Sequence, residues 1–83
     1  MTTFHAILHS LDRVQPLMLP ETTLFVEVNL LLPSPVTRTT LRATLSQMED
    51  HRWLTGIHDD LTGETRWKIS PMGRATLAEG NGT

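Results

Sequence analysis

Residues 37–69 read TRTTLRATLSQMEDHRWLTGIHDDLTGETRWKI, and this stretch decides the fold. Its first part has the period of an amphipathic helix. Leu41, Leu45 and Met48 fall on one stripe, with Thr44 and Arg52 at its margin. Thr37 is placed to cap the helix, since its side-chain oxygen can accept from an orphan backbone N–H. The spacing therefore predicts a helix over 37–51. Its outward face carries Thr39, Arg42, Ala43, Ser46 and Asp50, flanked by Arg38 and Glu49. At Trp53 the helical period gives way to alternation. Trp53, Thr55 and Ile57 share one side of a strand, and Leu54, Gly56 and His58 the other. Asp59 to Glu64 forms a polar turn in which Gly63 can supply a positive φ. Thr65, Trp67 and Ile69 then alternate with Arg66 and Lys68 on a return strand. The two tryptophans are expected to pack across this hairpin on the core side.

Working outward, Phe4, Ile7, Leu8, Leu11 and Val14 predict a helix over 3–15, which Pro16 terminates. Leu17 to Pro20 reads as an apolar connector. A second helix is expected from about residue 21 to 29, opened by an acidic residue beside a proline, although 24–29 also alternates partly as a strand would. Leu30 to Pro33 is extended in this reading and supplies a third short strand beside the hairpin. Pro33-Ser34-Pro35 admits no helix. Ser70-Pro71 is a cap followed by proline at the first helical position, so Met72 to Glu79 makes a short helix of at most two turns. Residues 80–83 read as a frayed tail. The fold class is α+β: three helices, a two-stranded hairpin and a short C-terminal helix, in a single domain over 1–83.

An 83-residue chain supports one small core. It has no cysteine, which excludes disulfides and thiolate chemistry and fits a cytoplasmic setting. The start has no basic region, and the longest apolar run is Leu30-Leu31-Leu32, so neither a signal peptide nor a membrane span is expected. Seven Lys and Arg stand against nine Asp and Glu, a net charge of −2. Overall charge thus gives no argument for a polyanion, whose binding rests on cations that release condensed counterions. With Phe4, Phe25, Trp53 and Trp67 as the only aromatics, no base-stacking platform is available for single strands.

From Leu41 to Gly73 the chain resembles winged helix-turn-helix regulators of the MarR and PadR kind. Met48-Glu49 stands at the helix end, Trp53-Leu54 opens the first strand, and Asp59, Asp60 and Arg66 sit in the wing. Ile69-Ser70-Pro71-Met72-Gly73-Arg74 matches the closing motif. The resemblance implies a helix that reads the DNA major groove and a flanking wing. Four departures stand out. Arg52 replaces the usual glycine after the third helix. Gly56 falls near a position often basic. The wing tip carries Asp59, Asp60 and Glu64. The long C-terminal dimerisation helix is missing.

Two functions follow as expectations. In the first, the chain is a small transcription regulator that binds double-stranded DNA as a homodimer. Arg38, Thr39, Arg42 and Ser46 read bases or phosphates, and Arg66 and Lys68 touch the backbone. In the second, it is a winged-helix protein–protein module that never binds DNA, with an apolar patch around Leu17, Met18, Leu30 and Leu31 as its contact. A continuous basic stripe from Arg38 and Arg42 to Arg66 and Lys68 favours the first; acidic residues within that stripe favour the second. Arg66 has Asp59, Asp60 and Glu64 as alternative partners across the hairpin. His5 and His9 have a chelating spacing but no third ligand, and Asp59-Asp60 has no nucleophile or base converging on it. No enzyme activity, metal or cofactor is expected.

Overall fold

Thr2 and Thr37 begin their helices in the same way. Each lies in extended backbone, and its hydroxyl accepts the amide three residues on, from His5 and Thr40 respectively, both at 3.1 Å. The computed structural model describes residues 1–81. In chain order they form α1 (Thr3–Val14), β1 (Leu19–Pro20), α2 (Glu21–Leu31), α3 (Arg38–Asp50), β2 (Leu54–Asp59), β3 (Glu64–Ile69) and α4 (Pro71–Asn81). The strands make one antiparallel sheet in the order β1-β3-β2. The architecture is thus α+β, with four helices against a small three-stranded sheet.

One core joins these elements. Ile7 and Leu11 of α1, Leu24 and Val28 of α2, and Leu41, Leu45 and Met48 of α3 are fully buried. Leu54, Trp67 and Ile69 close it from the sheet, and Leu77 from α4. Each such side chain contributes about 1.5–3 kcal/mol by leaving water.

The end of α3 explains an unusual residue. Arg52 adopts the left-handed conformation, φ 62°. Its amide donates to the Glu49 carbonyl at 2.9 Å, and the Trp53 amide donates to the Met48 carbonyl at 3.0 Å. This paired closure is the reason that glycine usually follows such a helix, and here arginine accepts the cost. The α4 start is pinned to the same turn. The Ser70 hydroxyl donates to the Arg52 carbonyl at 2.6 Å and accepts the Gly73 amide at 3.0 Å, while the Ser70 amide donates to the Trp53 carbonyl at 3.0 Å. A Cβ on Gly73 would stand 2.2 Å from the Trp53 carbonyl oxygen, so the closing motif needs its glycine for close backbone approach.

Four expectations are corrected. The third strand is Leu19–Pro20, pairing with Trp67 and Arg66, and not residues 30–33. Helical propensity carries α2 through Leu31, and Leu32 is extended only as the residue that leaves the helix before Pro33. A proline ends β1, which is acceptable because β1 is an edge strand with no partner on its other side. The tryptophans do not pair across the hairpin. Trp53 precedes β2 and packs edge-on against Phe4 and flat on His51, with ring centroids 6.1 and 4.8 Å apart. Consequently the inward side of β2 is that of Leu54 and Gly56, while Thr55 and Ile57 face out. Finally, α4 runs to Asn81 instead of stopping at Glu79, so it makes three turns. The remainder of the expected tail, residues 82 and 83, lies outside the described residues.

Two substitutions test this packing by urea unfolding. Ser10 is 2 % exposed and its hydroxyl has no hydrogen-bond partner among the described residues, so Ser10→Ala should raise stability by about 1 kcal/mol. Gly73→Ala should lower it by about 1–3 kcal/mol through overpacking against the Trp53 carbonyl.

Candidate nucleic-acid interface

Three elements border one open groove of about 740 Å³: the face of α3, the first turn of α2 and the inner side of the hairpin. Arg38, Arg42, Ser46 and Glu49 line it from α3, Glu21 and Thr22 from α2, and Gly56, Glu64 and Trp67 from the hairpin. The α3 residues share a wall because they recur at helical spacing along one side.

Glu21 is the hub of the first network. Its carboxylate accepts Nε1–H of Trp67 on one oxygen at 3.3 Å. The other oxygen accepts Nε and Nη2 of Arg42 at 3.3 and 3.0 Å. Burial is uneven across that pair: the Glu21 side chain is 14 % exposed and the Arg42 side chain 71 %. The carboxylate is held while most of the guanidinium faces solvent.

Thr22 is the hub of the second. Pro20 cannot cap α2 with a side chain, and Glu64 of β3 does so from across the groove. The Thr22 amide donates to Glu64 Oε1 at 2.8 Å, and the Thr22 hydroxyl donates to the same oxygen. Nη2 of Arg38 donates to that hydroxyl at 3.0 Å, and the guanidinium lies over the Phe25 ring, 5.5 Å from its centroid. These bonds to Thr22 hold the Glu64 carboxyl below its ordinary value, with Arg38 and Arg66 adding to the effect.

On the other side of the groove Gly56 faces the indole of Trp67. A Cβ there would stand 2.7 Å from the ring, so a side chain at this position would displace the tryptophan. Glu49 caps the Gly56 amide at 3.1 Å.

The predicted contact residues are only partly brought together. Arg38, Arg42 and Ser46 share the groove wall, and Thr39 is exposed on α3. Arg66 and Lys68 alternate with Trp67 on β3 and so face the opposite side of the sheet. Arg66 pairs with Asp59 at 3.4 Å, whereas Lys68 is exposed with no ion pair among the described residues. The cations therefore form no continuous stripe; Glu21 and Glu64 stand among them. The hairpin turn takes the expected form, with Gly63 at φ 72° and its amide donating to the Asp59 carbonyl at 2.7 Å.

Glu21, Thr22, Glu64 and Trp67 escaped sequence reasoning as parts of this site. Thr22 and Glu64 are 42 residues apart, and no local periodicity joins them. Of the expected apolar patch, Leu17 and Leu30 are 69 % and 76 % exposed, joined by Val26, while Met18 and Leu31 are half-buried. Among the described residues, no helix is long and apolar enough to cross a membrane, and no three His, Asp or Glu side chains are placed to hold a metal ion together.

Compared with protein-family models, curated proteins and solved structures, the chain matches none.

A depressed carboxyl stabilises the fold above its unfolded value, and that contribution disappears as pH falls through the folded one. Wild type should therefore exceed Glu64→Gln in stability at neutral pH, and the gap should begin to narrow as pH drops below the ordinary glutamate value of 4.5 and close once pH has passed below the lowered folded value. Urea midpoints measured across an acid series check this; a gap independent of pH would contradict it.

Proposed function

We propose that the chain is a winged-helix DNA-binding domain, acting as a homodimeric transcription regulator, with α3 entering the major groove and the β2–β3 hairpin as its wing. The carrying observation is the state of α3. Thr39, Arg42, Ala43, Ser46 and Gln47 are all exposed along its outer side. These side chains are small or hydrogen-bonding, so a base-pair edge can approach the helix closely, and Arg42 is suited to a guanine. The element order supports the reading: a third helix is followed by a hairpin whose return strand is central in the sheet.

The internal carboxylates do not preclude this use. An exposed ion pair is worth about 0–1 kcal/mol, and Arg42 keeps most of its surface in water. Glu21 thus orients the guanidinium more than it sequesters it. Contact with a phosphate backbone adds counterion release, which grows as salt falls.

A second reading, the protein–protein module, is favoured by the acids that interrupt the basic stripe and by Val26 and Leu30 on the open side of α2. A helix apolar around much of its circumference normally has cover on each side. The same patch with Leu17 serves a homodimer under the first reading.

Fluorescence anisotropy with mixed-sequence duplex separates the readings. Binding at low salt, with affinity falling linearly in log salt, is expected. Arg42→Ala should cost about 1–3 kcal/mol on preferred sequences and relax base preference, while Arg38→Ala should weaken all duplexes alike and lower the salt slope by about one. Undetectable binding at low salt contradicts the proposal.

A further inference from the structure

We infer that Glu64 is an internal competitor for the DNA backbone: its carboxylate latches the hairpin to Thr22 beside Arg38, and a phosphate must displace it. This rests on the DNA-binding reading and specifies how that site is regulated.

The latch occupies the groups that a phosphate needs. Thr22 offers Glu64 both its amide, at 2.8 Å, and its hydroxyl. Arg38 completes the cluster through the same hydroxyl at 3.0 Å. The arrangement joins a cation of α3, a hydrogen-bonding residue of α2 and an acid of the hairpin in one groove. A carboxylate and a phosphate oxygen make equivalent demands on these donors, so both cannot be served at once. Closing the latch also fixes where the hairpin stands relative to α3, because the other end of the hairpin is held through Trp67 and Glu21. Release of Glu64 therefore couples backbone contact to freedom of the hairpin end, while Trp67 stays in the core. Asp60 lies on the same hairpin but is 99 % exposed; among the described residues it faces His58 of the groove rim, at 3.8 Å, and neither Thr22 nor Arg38. It carries the charge of Glu64 without the latch.

The test compares duplex affinity of wild type, Glu64→Gln and Asp60→Asn at one low salt concentration, together with the Thr22 amide resonance of the wild-type chain. Each variant removes one negative charge. Glu64→Gln should bind about threefold to fivefold more tightly than Asp60→Asn, the scale of an exposed charged contact. In wild type the Thr22 amide should move, as duplex saturates, away from its position in the Glu64-bonded free protein. Equal affinities of the two variants, or a Thr22 amide unmoved in a saturated complex, overturn the latch and leave DNA binding intact. Should Glu64→Gln not fold, the wild-type amide decides by itself. Absence of duplex binding by all three proteins overturns both the DNA reading and the latch, which distinguishes that failure from the first.

Discussion

The first turn of α2 holds the candidate site together. Glu21 takes the indole N–H of Trp67 and the guanidinium of Arg42, and the adjacent Thr22 takes Glu64 and Arg38. Two consecutive residues thus set α3 and the hairpin at a fixed separation. The apolar core alone cannot do this, because burial is non-directional. The polar network supplies the direction, and Trp67 links the two by keeping its ring in the core and its N–H on Glu21.

This arrangement makes the acids of the groove parts of its scaffold. Glu21, Glu49 and Glu64 each accept bonds from groups that would otherwise lack a partner: an indole N–H, a strand amide and a helix amide. Their presence lowers the local positive potential, and Glu21 also fixes Arg42 on the groove wall. Steering of a polyanion from a distance is therefore weak, whereas short-range geometry is defined. Under the DNA-binding proposal, a domain built in this way should discriminate more through close contacts than through bulk charge.

Much of the scaffold was legible in the sequence. Thr37, the stripe of Leu41, Leu45 and Met48, Gly63 and Ser70-Pro71 all act through local rules that a short window contains. What escaped was non-local. Leu19–Pro20 is a strand only because β3 offers an open edge, and two residues carry no period of their own. Trp53 and Trp67 looked equivalent by alternation, but the left-handed turn at Arg52 delays the strand to Leu54 and inverts which side faces the core. The site was half legible for the same reason. The outward side of α3 follows from helical spacing, while its carboxylate partners come from an element that only folding brings near. The close approach of the Trp67 indole to Gly56, and the left-handed turn that Arg52 takes at the end of α3, became visible only once the turn and the indole were in place.

The central claim is that α3 and the hairpin, not the apolar side of α2, make the functional contact. Amide chemical-shift mapping of the labelled protein during titration with a short mixed-sequence duplex at low salt tests it directly. Perturbations at residues 38–47 of α3, at 64–68 of β3 and at the Thr22 amide beside them are the expected result. Perturbations centred on Val26 and Leu30, or none at saturating duplex, would contradict it.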